Sequence, residues 1–198
     1  MSLLKSYEMS GVGKLKYRIL LLLFGFSIIV NAQNIDKDEN KIEVILDSLM
    51  PQQTDIISFL SNSKEHSTFL KLLKATGVDE EFSTETRFTL FAPTNAAFEK
   101  LPKGTLENLM LPESKYKLTN ILNYHVILGS VSSTKMSENI TKNRGKAKFQ
   151  AKSGGVITVF IKQGIFAIEG EKAILIESPD KQQSNGFVHI IDSVLIPQ

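Results

Sequence analysis

The chain reads as an α+β protein, with helices gathered in its first half and strands in its second. Three observations carry that reading. Apolar residues recur at helical spacing up to Leu73 and again from Leu118, short β-favouring runs separated by glycine turns fill the region after Phe149, and no internal repeat divides the 198 residues. One domain plus a tail accounts for the length. Hydrophobic residues make up 42% and charged residues 22%, enough apolar surface for a core and too little charge for extended disorder. With no cysteine, disulfides, thiolate metal sites, a catalytic thiol and a cysteine-linked lipid anchor are all excluded.

The first 32 residues are of different character. Lys14, Lys16 and Arg18 precede a leucine-rich apolar run from Ile19 to Val30, and Val30-Asn31-Ala32 offers the small or aliphatic residues a signal peptidase reads. The run falls short of the ~20 residues that cross a bilayer. Residues 1–32 are therefore predicted to be a secretory signal peptide cleaved after Ala32, leaving a mature chain without a transmembrane segment. Initiation at Met9 would shorten an otherwise long leader. The leader holds four of the 23 basic residues (Lys5, Lys14, Lys16, Arg18) and one of the 21 acidic ones (Glu8), so its removal turns a net charge of +2 into −1. The basicity belongs to the export signal, which argues against nucleic acid as a partner.

Residues 33–40 are polar and charged. Ile42, Ile45, Leu46 and Leu49 then fall at i, i+3, i+4 and i+7, so residues 33–52 read as a linker with one short amphipathic helix that Pro51 ends, and residues 53–198 as the folded domain. A second helix begins near Thr54 or Asp55 and carries Ile56, Ile57, Phe59 and Leu60. A third, over residues 67–76, turns Phe69, Leu70, Leu72 and Leu73 inward and ends at Gly77, a natural C′ residue. Residues 88–92 form an apolar run without alternation, as expected of a strand covered on both faces. Pro93 cannot donate to a sheet ladder and stops the pairing. Thr94 or Asn95 caps the helix that follows, and Phe98 and Leu101 return to the core. After the break at Lys103-Gly104, Thr105 is expected to cap a short helix with Leu106 and Leu109, and Ser114 to cap another in which Leu118, Ile121, Leu122 and His125 keep helical spacing. Residues 126–128 switch to strand, with Gly129 as the exit. Further strands are expected over 156–161, 166–169, 173–177 and 187–196, with turns at Ser153-Gly154-Gly155, Gln163-Gly164 and Glu169-Gly170.

Three segments stand out in this order: RFTLFAPTNAAFEKLP (87–102), ILNYHVILG (121–129) and NGFVHIIDSVLIP (185–197). Together they closely resemble the fasciclin (FAS1) domain family. Phe91, Pro93, Thr94, Asn95 and Phe98 match its first signature, Tyr124-His125 its central Tyr-His pair, and Asn185, Gly186, His189 and Asp192 lie in its second. The resemblance runs from about Gln53 to the C-terminus and identifies the chain as a single-domain, exported bacterial member. It implies a β-sandwich or wedge of roughly seven strands with several helices packed against it, and a role in contacts between cells or between cells and matrix. In this family the Tyr-His pair is associated both with fold integrity and with adhesion.

The same residues permit other chemistry on paper. The helical register of His125 turns it inward, which predicts a buried, hydrogen-bonded imidazole whose loss lowers stability before anything else. His125, His189, Asp192 and Ser193 are the residue types of a Ser-His-Asp triad. No nucleophile elbow accompanies them, and strand alternation puts Asp192 and Ser193 on opposite faces, so no catalytic residue is assigned. His66, His125 and His189 are scattered without ligand spacing, and Asp79-Glu80-Glu81 lacks the alternating oxygens and glycine of a calcium loop. No metal or cofactor is expected. Asn185-Gly186 is read as a tight turn into a central last strand, on which Asp192 accepts backbone or hydroxyl hydrogen bonds near residues 88–92. Asn139-Ile140-Thr141 fits a glycosylation acceptor, a pattern that means nothing in a bacterium. Lys142, Arg144, Lys146 and Lys148 alternate as on one face of a strand or loop, either an edge defended by lysine or a docking site for acidic polysaccharide.

Two functional classes follow. The first is an exported, non-catalytic binding module for adhesion, periplasmic, secreted or surface-associated. Its partner would be a cell-surface or matrix protein or polysaccharide, and homodimerisation would add avidity. Integrin-binding segments of better-known family members join an acidic residue directly to an isoleucine just ahead of the second signature. Here Glu177-Ser178-Pro179-Asp180-Lys181 puts lysine after Asp180, and that specificity is not carried over. Residues 83–87 also lack the Gly-Pro often found before the first signature. The second class is an exported glycan- or small-molecule-binding protein, or a hydrolase, on the same scaffold. It predicts a concave pocket with convergent polar groups, where adhesion predicts a shallow exposed patch. The lack of tryptophan, with only four tyrosines, disfavours a stacking cleft for sugars.

Overall fold

The apolar run that opens the first signature becomes β1 (Phe88–Pro93), and all six of its residues are buried. It can be covered on both faces because it lies inside a seven-stranded sheet of order β2-β1-β7-β6-β5-β4-β3. The computed structural model describes residues 54–83 and 86–197. The expected leader, linker and amphipathic helix lie outside them. The other strands are β2 (Val126–Leu128), β3 (Lys146–Gln150), β4 (Val156–Lys162), β5 (Ile165–Ile168), β6 (Ile174–Gln183) and β7 (Gly186–Ile191). β1 runs parallel to β7, from Phe88 opposite Gly186 to Pro93 opposite Ile191, and every other neighbouring pair is antiparallel. The outermost strands, β2 and β3, meet at a single bridge between Ile127 and Ala151, which nearly closes the sheet on itself.

Six α-helices lie among the described residues: α1 (Ile56–Asn62), α2 (Ser67–Thr76), α3 (Asn95–Glu99), α4 (Thr105–Leu109), α5 (Lys115–Tyr124) and α6 (Ser133–Lys142). Five of them precede β2. Phe88, Leu90 and Ala92 of β1 join Ile56, Phe69, Leu72 and Leu122 in a core between sheet and helices. Phe91, pointing the other way, joins Met136 and Ile140 of α6, Val159, Ile176 and Ile191 in a second core. β7 divides in the same way, Val188 to the first core and Ile191 to the second. The α+β expectation of a seven-stranded wedge with helices against it therefore holds.

Local chemistry sets the helix ends. Asp55 caps α1 by accepting from Ser58 N–H at 2.7 Å, and Gly77 closes α2 at φ 82°. Thr94 caps α3, its hydroxyl accepting from Ala97 N–H at 3.2 Å. Two expected caps differ. Gly104, at φ 80°, is the residue before α4, and Thr105 is already helical. Ser114 precedes α5 but gives no side-chain bond, because it ends a 3-10 turn with near-helical φ and ψ of −93° and 1° that keep its hydroxyl off the free N–H groups.

Other departures bear on the site. α6 and β3 have no counterpart in the sequence expectations. The basic run is consequently not one face: Lys142 ends α6, Arg144 sits in a turn at φ 57°, and only Lys146 and Lys148 share a face of β3. The Asn139-Ile140-Thr141 triplet lies within α6. β6 runs on to Gln183 because register shifts between Ile176 and Lys181 absorb Pro179 and Asp180. β7 stops at Ile191, since the Asp192 carboxylate, not the next backbone carbonyl, takes the Leu175 N–H.

Candidate functional site

The parallel pairing of β1 and β7 lays the first and last signatures side by side, with Phe91 opposite His189 and their rings 5.4 Å apart. Gly186 faces Phe88 across that ladder at φ 146°. A Cβ at this position would lie 1.8 Å from the Phe88 carbonyl oxygen, so only glycine fits. The hairpin turn is in fact Ser184-Asn185, and Gly186 is the first residue of the strand. Asn185 does not take a positive φ. Its side chain instead accepts from Ile56 N–H at 2.9 Å and donates to the Phe82 carbonyl at 2.8 Å, while its own carbonyl accepts from Phe88 N–H at 2.9 Å. Asn95 plays a similar part. It accepts from Thr68 N–H at 3.0 Å, serving the start of α2 and not its own helix, and donates to the Lys64 carbonyl at 2.9 Å. Phe98 is buried in the helical core, and the Pro93 carbonyl lies 3.2 Å from His66 Nδ1.

His125 follows α5 and is wholly buried, its ring 5.3 Å from that of Phe69. Its Nδ1 lies 2.8 Å from the Ile121 carbonyl and its Nε2 accepts from Leu195 N–H at 3.0 Å. A carbonyl only accepts and an amide only donates, so the ring is neutral with its proton on Nδ1. Burial pushes its pKa down to about 4, against the opposing pull of the Ile121 carbonyl. His189 has the other tautomer: Nδ1 accepts from Asp180 N–H at 3.1 Å, and Nε2 donates to the Val131 carbonyl at 2.8 Å. Burial lowers its pKa too, opposed by that carbonyl and by the charge on Asp180. Tyr124 is half-buried, donates to the Val156 carbonyl at 2.8 Å and lies flat against Gly155, where a Cβ would come within 2.7 Å of its ring. Burial raises its phenol pKa.

Asp192 is not solvated, but its neighbours are not those expected. It accepts from Leu175 N–H of β6 at 2.9 Å and pairs with Lys100 at 3.1 Å, because Asp192, whose own N–H donates to the Leu175 carbonyl, turns to β6 and not to β1 on the other side of β7. His125, His189 and Asp192 therefore each serve a different backbone segment, and no triad assembles. No group of three metal-ligating side chains occurs among the described residues. Asp79, Glu80 and Glu81 lie in a 3-10 segment, where Glu81 pairs with Lys152.

Sequence reasoning missed Thr89 and Asp180. Buried Thr89 accepts from Val131 N–H at 2.8 Å and donates to the Gly129 carbonyl at 2.7 Å. The Asp180 carboxylate accepts from Ser133 N–H at 2.7 Å and from the Ser133 hydroxyl, completing the start of α6 from across the sheet. Ser132 followed by Met136 and Ile140 was the available signal for that helix.

The Fasciclin domain profile matches residues 64–197, spanning all three signatures. The chain belongs to the fasciclin domain family. Protein sll1483 of Synechocystis sp. is 34% identical over 157 residues, covering 79% of this chain and 81% of that protein. Human periostin is 31% identical over 159 residues, 80% of this chain but 18% of its own length. Immunogenic protein MPB70 of Mycobacterium bovis is 37% identical over 111 residues, 56% of this chain and 50% of that protein. The fold matches a FAS1 domain pair from the insect cell adhesion molecule fasciclin I, with a TM-score of 0.66 at 20% identity, over 73% of this chain and 51% of that one. The fasciclin signatures thus form a hydrogen-bonded knot that ties helices to β1 and β7. No helix among the described residues is long and apolar enough to cross a membrane.

Proposed function

We propose that this fasciclin domain is an exported, non-catalytic binding module that contacts a cell-surface or matrix partner through its outer surface. One observation carries the reading: both ring nitrogens of His125 and of His189 face backbone hydrogen-bond partners. Groups held in this way have neither the free nitrogen nor the pKa that general acid–base work needs. The signature residues build the scaffold, and binding falls to the surface it supports. The fold's likeness to a domain pair from an insect cell adhesion molecule is in keeping with that role.

The test is binding of the purified protein to intact cells and to a panel of matrix proteins and polysaccharides, beside a His125→Ala variant of known melting temperature. Saturable, salt-tolerant binding is expected. The variant should melt lower yet bind at temperatures where it is folded. Failure of the folded wild-type protein to bind anything on the panel would overturn the reading.

A further inference from the structure

The sheet fails to close between β2 and β3. Beyond the Ile127–Ala151 bridge, β2 and β3 part and leave an open groove of about 630 Å³ roofed on one side by α6. Its floor is apolar, with Ile127, Val131 and half-buried Phe149, and Leu128, which is 58% exposed, flanks it from the opposite face of β2. Its rim carries Lys135, Lys148 and Lys152, and no acidic side chain lines it. Lys152 is engaged with Glu81 and Asn123, whereas Lys135 and Lys148 have no ion-pair partner among the described residues.

Backbone polarity says what kind of molecule fits. Ala147 lies opposite Val159 and Phe149 opposite Ile157, and Ala151 N–H continues the ladder to the Gly155 carbonyl at 2.8 Å. Main-chain groups alternate in direction along a strand, so those of Ala147 and Phe149 turn to β4 and those of Lys146 and Lys148 turn out toward the groove. An acyl chain laid there would strip water from these N–H and C=O groups and give nothing back. A polysaccharide offers no ladder of alternating donors and acceptors. An extended polypeptide does. Lysines on a free edge repel basic strands and disfavour neutral ones, which would desolvate the charge without pairing it, and the same charges favour an acidic strand directly opposite.

We propose that the groove receives an extended partner segment of alternating acidic and apolar residues, added as a strand to the free edge of β3. Its acidic side chains share a face with Lys146 and Lys148, and its apolar ones take the face of Phe149 and Ile127. The proposal rests on the binding-module reading and names the partner's chemistry.

The probe is the capped peptide acetyl-Glu-Val-Glu-Val-Glu-amide, titrated into the full chain while amide exchange is followed by NMR. Saturable binding with slowed exchange at the Lys148 N–H is expected, and the peptide with lysine in place of glutamate should not bind. Lys148→Glu should weaken binding by about tenfold or more. Lys148→Pro removes the outward donor and should abolish binding while Ala147 and Phe149 stay protected. If Lys148→Pro does not fold, Lys148→Glu decides. Binding without protection of Lys148, equal binding of the lysine peptide, or displacement of the peptide by laurate or dextran sulfate would each overturn the proposal. Matrix binding that survives Lys148→Glu would sink the groove as partner site and leave the binding-module reading intact. Peptide binding by a protein that ignores the whole matrix panel would do the reverse.

Discussion

Acidification should weaken this domain before its carboxylates titrate. His125 has a pKa of about 4 in the folded protein, against 6.5 for an unperturbed imidazole. Between those values the unfolded chain binds a proton that the folded one refuses. Stability from this group is therefore fully present above about pH 6.5 and falls by about 1.4 kcal/mol per pH unit below it, until the folded ring itself protonates near pH 4. The full loss is roughly 3 kcal/mol, a large share of the ~5–15 kcal/mol that holds a domain together. His189 is shifted in the same direction by burial and steepens the slope. Urea unfolding measured at intervals from about pH 7.5 to about pH 5 reads the effect where ordinary carboxylates stay ionised. A free energy of unfolding that stays constant within about 0.5 kcal/mol over that range would refute the assignment of both rings as buried and neutral.

Three further outcomes are expected. Gly186→Ala forces a Cβ against the Phe88 carbonyl at a φ that only glycine tolerates, and should cost about 3 kcal/mol or more, measured by chemical denaturation. Thr89→Val keeps the shape but strands the Val131 N–H and the Gly129 carbonyl, so a loss of about 1–3 kcal/mol in the same assay is expected. Lys100→Ala breaks a half-exposed pair with Asp192 and should cost no more than about 1 kcal/mol, with a difference from wild type that disappears in concentrated salt.

What could be read from the sequence was what neighbours in sequence decide. α2 matches its expected span because four apolar residues and a terminal glycine are local signals. The inward turn of His125 follows from helical spacing alone, and the double-sided burial of β1 from its lack of alternation. Contacts between distant segments were not legible. α6 has only Met136 and Ile140 buried in a polar sequence, and its first N–H group is served by Asp180, 47 residues away. Pro179 reads as a strand breaker until the irregular pairing of β6 accommodates it. Asp192 needed a partner, as its place on a covered strand implied, but whether that partner lay on β1 or β6, which flank β7 on either side, depends on which of them its groups face. Asn95 reads as a cap for its own helix and serves α2.

The position of β7 also governs the order in which the molecule can assemble. This strand comes after the other six in chain order and it inserts between β1 and β6, pairing with residues of β1 about a hundred positions earlier. Until it arrives, β1 has one unpaired edge with six apolar or hydroxyl-bearing residues, and β6 has another, both open to other chains. The helical half has no completed sheet to pack against, so folding from the N-terminus yields no self-sufficient intermediate. Long-range parallel pairing of this kind is slow to form, and the sheet cannot be completed before β7 is available. Synthesis halted before Gly186 would leave a sticky fragment, and the cell's chaperones and proteases would meet it as one.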